Sequence, residues 1–262
     1  MRFDIITTYP QIFDSYLSAS ILGRAQKQKL VEIKTHNLRD FAVGRGLTRT
    51  KRGITQKNGY RKVDDKPYGG GAGMVLMAEP ILKAVDRIEL RIKNEELRIN
   101  KKTVKGAKRK QKTKIIVFSA KGKQFDQKMA YDWAKKFDNF ILVNGRYEGV
   151  DERVEKILKA EEVSIGPYVL TDGDVAGMVL ISAIARLAPG VIKWESLQEE
   201  SFFNLLAKKE RNLAVGAGLE YPHYTRPEVL KWKGKKYSVP DVLLSGNHKE
   251  IEKWRLSKRG KS

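Results

Sequence analysis

The chain of 262 residues has no cysteine, only three histidines, and 31 acidic against 52 basic side chains. Without cysteine it has no disulfide, no thiol nucleophile and no thiolate metal site. The histidines, His36, His223 and His248, lack the close spacing of metal ligands. We therefore predict no metal site built from these residue types, and catalysis must use other groups.

Long apolar runs are also missing. No stretch approaches the roughly 18 residues that a membrane helix needs, and the amino-terminal segment from Met1 to Ile6 reads as a strand rather than a signal peptide. Neither the Gly-x-Gly-x-x-Gly dinucleotide motif nor the phosphate-binding P-loop motif occurs. We expect a cytoplasmic protein without a membrane partner.

Basic residues far outnumber acidic ones in this chain. The formal net charge of +21 and a pI near 9.9 favour a polyanionic partner, with nucleic acid as the leading candidate. The basic residues cluster in two segments, 43–62 and 101–114, that read as loops. A lysine-rich solvated surface would show the same runs.

Strand and helix patterns alternate along the first part of the chain, which predicts an α/β fold with a parallel sheet. Strands are predicted at 3–7, 31–35, 114–119 and 140–143, and helices at 12–29, 80–99, 127–136 and 175–187. We predict three regions: a ligand-binding domain over 1–192, a polar linker over 193–218, and a small, mostly helical unit over 219–262.

Two glycine-bearing segments, 144–153 and 164–174, each follow an apolar run. Loops at the carboxyl ends of adjacent parallel strands are where open α/β sheets hold ligands. These segments are the first candidates for a pocket, although a pair of ordinary strand-to-helix turns would have the same local pattern.

The motifs together resemble bacterial tRNA (guanine-N1)-methyltransferases of the TrmD type over nearly the whole length. The matching segments are 3–7, 20–25, 37–41, 63–74, 145–153, 164–170, 221–227 and 243–248. The resemblance implies a deep trefoil knot of the SPOUT type, an exception to the rule that chains do not thread loops. It also implies helices on both faces of the sheet, and a homodimer with the active site at the subunit interface.

The resemblance further implies S-adenosylmethionine as methyl donor and N1 of guanine 37, 3′ of the anticodon of tRNA, as acceptor. The family's donor-binding positions carry over to Val117, Phe118, Ser119, Gly122, Gly145, Tyr147, Glu148, Gly149, Ser164, Ile165, Gly166, Tyr168, Leu170 and Gly173. The sequence departs from the family pattern at 172–178, where Asp172 and Asp174 flank Gly173, and at Ala120.

Methylation of guanine N1 requires removal of its proton, so a general base is needed. The resemblance places this base at Glu200, with Glu199 as the alternative, and places at Arg186 the guanidinium that stabilises negative charge on guanine O6. It also suggests that a magnesium ion assists. Read without the resemblance, Glu200 is an ordinary linker acid and Arg186 an ordinary charge at a helix end.

The carboxyl-terminal unit mixes cations with aromatic residues, as expected for contact with an RNA loop. The candidates are His223, Tyr224, Arg226, Asn247, His248, Lys253, Trp254 and Arg255. Packing of the unit itself would explain the aromatic residues at 221–224 equally well. Two other functions stay open: a knotted methyltransferase with a different RNA target, and a non-catalytic RNA-binding protein of the same fold.

Overall fold

A computed structural model describes residues 1–42, 48–49, 55–56, 61–102, 110–193, 196–197, 201 and 220–258. The chain divides into two compact units, Met1–Ile192 and Lys193–Ser262. Most of the predicted linker lies outside the described residues, so its bounds stay a prediction. In the described part of the chain, no helix combines the length and the apolar character that crossing a bilayer requires.

The first unit is built on a five-stranded sheet in which every neighbouring pair is parallel. Its strands are β1 (Arg2–Thr7), β2 (Glu32–Asn37), β7 (Thr113–Gln124), β8 (Asn139–Val143) and β9 (Glu161–Ser164), in the order β2-β1-β8-β7-β9. The prediction of an α/β fold with a parallel sheet is confirmed.

Helices cover both faces of this sheet because side chains of successive strand residues point to opposite sides. Phe3, Ile5, Phe140 and Leu142 belong to one buried cluster, and the phenyl rings of Phe3 and Phe140 stack at 5.0 Å. The alternate strand positions 6, 141 and 143 belong to the other cluster. The first cluster packs against α4 (Gln127–Lys136) and α6 (Gly173–Ala185), and the second against α3 (Ala78–Lys102) and α5 (Arg153–Leu158).

The single helix predicted over 12–29 is wrong. The chain instead forms a 3₁₀ turn (Pro10–Phe13), α1 (Asp14–Leu17) and α2 (Ser20–Lys27), with Ser20 in the left-handed region at φ 48°. Gly23 permits this break because a Cβ there would stand 2.1 Å from the carbonyl oxygen of Ser18. Periodicity shows that a segment is helical, but it does not show a turn of this kind.

Two pairs of short strands lie between residues 48 and 76, a region whose sequence predicts mainly polar loops. β3 (Thr48–Arg49) pairs with β4 (Thr55–Gln56), and β5 (Asp64–Asp65) pairs with β6 (Val75–Leu76). The glycine-rich loop at 69–73 therefore joins two antiparallel strands, and four of its glycines have positive φ. The second basic segment is partly helix and strand, since α3 runs to Lys102 and β7 begins at Thr113; residues 103–109 lie outside the described part.

The second unit contains a β-hairpin that the sequence did not predict. It is formed by β10 (Val229–Trp232) and β11 (Lys235–Ser238), which are antiparallel, and is followed by α7 (Asp241–Leu244) and α8 (His248–Lys258). Alternation is hidden here because lysines occupy positions on both faces of the hairpin.

A buried ion network ties α3 to the sheet. Asp4 of β1 is fully buried, and its carboxylate accepts hydrogen bonds from Arg2 Nε at 2.7 Å and from Arg91 of α3, while His36 Nε2 lies 2.7 Å away. Arg2 also pairs with Glu95 of α3. Burial by itself raises the pKa of Asp4, but the hydrogen bonds from His36 and Arg2 and the charge of Arg91 hold it below its usual range.

Replacing Asp4 with asparagine should destabilise the protein by about 3 kcal/mol at pH 7, because two guanidinium groups lose their buried counter-charge. The lowered pKa means that the Asp4 contribution is fully present above about pH 4 and is lost as the pH falls through the folded-state pKa. The free energy of unfolding is measured by urea denaturation between neutral pH and about pH 3. The difference in this free energy between wild type and D4N should become smaller as the pH falls. The exposed Asp132→Asn serves as control, and equal stability of D4N and wild type at pH 7 would contradict the assignment.

Candidate active site

One cavity of about 470 Å³ lies at the carboxyl-end edge of the parallel sheet. It is lined by residues 117–121, 145–150, 152, 162–165, 168–173 and 176. The lining comes from adjacent strands because β8, β7 and β9 are neighbours, so the segments that follow them converge at one edge. The volume is within the range of small-molecule sites, about 300–1,000 Å³.

Twelve of the fourteen residues expected to bind the donor line this cavity. They are Val117, Phe118, Ser119, Gly145, Tyr147, Glu148, Gly149, Ser164, Ile165, Tyr168, Leu170 and Gly173. Three separate segments therefore converge on one cavity. That these residues bind a methyl donor remains a prediction.

Gly122 and Gly166 do not line the cavity. A Cβ at Gly122 would stand 2.5 Å from the backbone nitrogen of Val163, so this glycine lets β7 approach β9. A Cβ at Gly166 would stand 2.3 Å from the ring of Tyr168, and the Tyr168 hydroxyl donates to the carbonyl of Ile165 at 3.2 Å. Both glycines therefore shape the backbone around the site.

The glycine-rich loop supports the first of the two pocket segments. The Glu148 N–H donates to the carbonyl of Met74 at 3.0 Å, and the Leu76 N–H donates to that of Gly149 at 3.0 Å. A Cβ at Gly73 would stand 2.5 Å from Glu148 Oε1, so a larger residue would displace this carboxylate. The loop thus positions a cavity residue.

Tyr147 is held in a left-handed conformation with φ 59°, and its ring reaches the buried carboxylate of Asp64. Burial raises the pKa of Tyr147, and the charge of Asp64 and a hydrogen bond to it raise the pKa further. The phenol is therefore protonated at neutral pH, and it serves as a hydrogen-bond donor and an apolar surface, not as a base.

A second buried ion network, missed from the sequence, joins the two pocket segments. Asp174 is 1% exposed; it accepts from Asn144 Nδ2 at 2.9 Å and from Arg146 Nη2 at 2.8 Å. Asp172 lies 3.2 Å from the same Arg146 nitrogen and caps α6 by accepting the Asp174 N–H at 2.9 Å. Arg146 also lies over the ring of Tyr9 at 4.3 Å.

The one available signal for this network was the pair of acids flanking Gly173, which the sequence shows as a departure from the family pattern. Within the described residues, Asn144 Oδ1 and Arg146 Nε are buried without a hydrogen-bond partner. Arg146 and Asp172 line the cavity, so the network forms part of its polar wall.

Carboxylates also gather beside the cavity. Oxygen atoms of Glu152, Glu155 and Glu162 lie within 4.8 Å of one another. The Lys121 ammonium pairs with Glu152 at 2.9 Å and with Glu162 at 3.5 Å, and the hydrogen bond to Glu152 raises the pKa of Lys121. Because the lysine supplies the positive charge, we assign no metal to this cluster.

Of the two predicted catalytic residues, only Arg186 lies in the described part of the structure. Arg186 follows the last turn of α6, is half-buried, and does not line the cavity. Glu200 and its alternative Glu199 lie outside the described residues. Both roles stay predictions.

Aromatic residues predicted to meet RNA partly pack on one another in the second unit. Tyr224 and Trp254 have ring centroids 6.3 Å apart, and the Arg255 guanidinium lies 4.7 Å from the ring of Tyr221. His223 lies 3.2 Å from Glu220. These contacts show that the side chains at those positions pack within the unit. The expected contact with RNA stays a prediction.

The fold and the cavity define an α/β protein with a cavity of small-molecule size at the carboxyl ends of its parallel strands. A family model described as tRNA (Guanine-1)-methyltransferase TrmD matches residues 1–262. The chain belongs to this family of methyltransferases.

Curated relatives agree with this assignment, and each is named tRNA (guanine-N(1)-)-methyltransferase. The relative from Ruminiclostridium cellulolyticum is 40% identical over 257 residues, covering 98% of this chain and 90% of its own length. That from Thermomicrobium roseum is 42% identical over 255 residues, covering 97% and 77%. That from Clostridioides difficile is 41% identical over 256 residues, covering 97% and 90%.

Gly173→Ala should disturb the point where α6 meets the loop after β8. The Gly173 N–H donates to the Gly145 carbonyl at 2.8 Å, and a Cβ would stand 2.9 Å from the Gly145 nitrogen and 3.1 Å from Asn144 Cα. We expect a loss of about 1–3 kcal/mol from this overpacking, despite the better helix propensity of alanine, measured by thermal unfolding. Gly145→Ala is the matched control because its nearest contact is an ordinary 3.4 Å; equal melting temperatures would contradict the argument.

Proposed function

We propose that the chain transfers a methyl group from S-adenosylmethionine to N1 of guanine 37 of tRNA. One observation carries the proposal: in a chain of this methyltransferase family, twelve predicted donor-binding residues from three segments line a single cavity. An enzyme that modifies tRNA acts where tRNA is found, and we place this one in the cytoplasm.

The residues of the cavity suit this donor. Side chains such as Val117, Ile165 and Leu170 offer apolar cover for the flat adenine, and Tyr168 offers an aromatic face. Backbone groups beside Gly145 and Gly149 are accessible to a ligand because no side chain stands there. Acidic side chains on the wall, Glu148 among them, are complementary to a cationic ligand. When bound, S-adenosylmethionine supplies a methyl group activated by its sulfonium.

The chain itself has to remove the N1 proton, because the neutral ring nitrogen has no free lone pair for the new bond. We assign this step to the carboxylate of Glu200, with Glu199 as the alternative. Negative charge then develops on guanine O6, and we assign its stabilisation to the guanidinium of Arg186. The proton would end on the glutamate and the methyl group on N1, and the electron pair of the broken sulfur–methyl bond would stay on sulfur, which leaves as a neutral thioether. A role for magnesium follows from the resemblance alone, and no step is assigned to it.

The family relationship supports a trefoil knot in the first unit. In that arrangement the segments that line the cavity are also the segments of the knot. The direct backbone contact between Gly173 and Gly145 is compatible with a chain threaded close to the loop after β8. The small second unit, together with the basic segments at 43–62 and 101–114, is proposed to contact tRNA through phosphate charge.

An exposed apolar face supports a homodimer. Side chains of the 3₁₀ turn, α1, α2 and α6 lie at least one-third exposed; they are Tyr9, Ile12, Tyr16, Ile21, Val175 and Val179. Burying a face of this kind against a second copy removes apolar surface from water. Because Tyr9 also contacts Arg146 of the cavity wall, a partner on this face would lie beside the active site.

Val179→Glu should prevent dimer formation, since a charge would be placed in the centre of an apolar contact. Light scattering coupled to size-exclusion chromatography should show a monomer with reduced methyl transfer. Leu90→Glu, at an apolar site on α3 that is 61% exposed against 42% for Val179, should keep the wild-type mass. An unchanged dimer of V179E would refute this interface.

Replacing Glu200 with glutamine should abolish most methyl transfer, because the amide cannot accept the N1 proton; a positioned general base contributes about 10²–10⁴-fold. The measurement is mass spectrometry of nucleosides from unmodified tRNA incubated with S-adenosylmethionine and either protein. Glu89→Gln, at an exposed position on α3, is the matched control. Equal 1-methylguanosine from E200Q and wild type would rule out Glu200 as the base and move the role to Glu199 or to another group.

The same assay distinguishes the two alternative functions, another knotted RNA methyltransferase and a non-catalytic RNA-binding protein. Methylation at a different nucleoside would identify another knotted RNA methyltransferase. Binding of RNA without any methylation by folded wild type would identify a non-catalytic RNA-binding protein. Calorimetric titration with S-adenosylmethionine separates these two outcomes.

A further inference from the structure

The β10–β11 hairpin of the second unit presents an uncovered sheet. Its two strands are joined by Lys233 and Gly234, both at positive φ (47° and 76°), as in the tight turns that suit the natural twist of a hairpin. All eight strand residues are exposed. Within the described residues, neither face of the hairpin is covered.

One face of the hairpin is aromatic and apolar. In the observed register Leu230 stands opposite Tyr237, and Trp232 stands opposite Lys235. Because alternate strand residues share a face, Leu230, Trp232 and Tyr237 lie on the same side. Their exposures are 49%, 62% and 54%, which is unusual for two large rings with no partner.

The hairpin carries four lysines, and no acidic residue occurs from Val229 to Ser238. Lys235 shares the face of the rings and Lys233 lies in the turn, whereas Lys231 and Lys236 stand opposite each other on the other face. In the part of the chain that the structure describes, none of these ammonium groups forms an ion pair. Exposed charges held close together repel one another, so the hairpin is complementary to an anion.

Flat rings for base stacking, with lysines for phosphates, form the recognition chemistry of unpaired nucleic acid. We propose that the hairpin binds unpaired nucleotides of the RNA substrate, with bases stacked on Trp232 and Tyr237 and phosphates contacted by Lys235 of the same face and Lys233 of the turn. The inference rests on the proposed function for the identity of the RNA as tRNA. The charge favours this occupant over a protein partner or a second copy of the chain.

The rings are tested with the full-length protein, by fluorescence anisotropy with unmodified tRNA and with a fully paired RNA duplex. Trp232→Ala combined with Tyr237→Ala should weaken tRNA binding by about tenfold or more, since alanine removes one stacking platform per base. Binding of the duplex should change little, because its bases are already stacked. Trp232→Phe with Tyr237→Phe keeps both rings and should bind tRNA nearly as wild type.

The lysines are tested separately. Lys233→Gln combined with Lys235→Gln should weaken binding of both RNAs. The slope of log affinity against log salt should become shallower by about 0.7–0.9 for each phosphate that the variant no longer neutralises. Lys93→Gln, at an exposed position on α3, controls for the removal of a positive charge.

Equal tRNA affinity of the double alanine variant and wild type would overturn the proposal. A change of oligomeric mass in that variant, with RNA binding intact, would instead show an interface between copies of the chain and would also overturn it. Titration with S-adenosylmethionine distinguishes failure of the hairpin proposal from failure of the proposed methyltransferase activity. The hairpin variants should bind the donor normally, whereas a wild type that binds RNA but no donor would contradict the proposed activity and leave the hairpin proposal standing.

Discussion

The contact between the first turn of α6 and the loop after β8 is the constraint on which the cavity depends. Gly173 and Gly145 meet backbone to backbone, and the buried Asp174 carboxylate is held by Asn144 and Arg146. A side chain at Gly173 would have no space. The pocket segments 144–153 and 164–174 meet at this contact and supply most of the cavity wall, so their distance from one another sets the width of the site.

Two buried carboxylates hold helices to opposite faces of the sheet. Asp4 connects β1 to α3 through Arg91, and Asp174 connects α6 to the loop after β8 through Arg146. An unpaired buried charge costs several kcal/mol, so these pairs specify where each helix docks more than they add to overall stability. The apolar clusters supply the driving force, and the ion pairs restrict the geometry.

Much of the fold could be predicted because local pattern controls it. Helix α4 has the predicted bounds, and the predicted strands at 3–7 and 140–143 differ from β1 and β8 by one residue at the amino end. The break at Ser18–Ser20 and the β10–β11 hairpin were missed, since the first depends on a close approach to Gly23 and the second has lysines on both faces. Asp172 and Asp174 were visible as unusual residues, but their shared partner Arg146 is 26 and 28 positions away.

The sequence by itself determined the class of fold, the strong positive charge, the absence of thiol chemistry and the family motifs, because composition and short-range pattern encode these directly. The tertiary structure decided which segments meet. It brought twelve expected residues to one cavity and left Trp232 and Tyr237 uncovered on one face of a basic hairpin. It also placed Gly122 against the backbone of β9 and Gly166 against the ring of Tyr168, outside the cavity lining. Contacts between residues far apart in sequence arise only when strands pair and helices dock, and no local pattern specifies them.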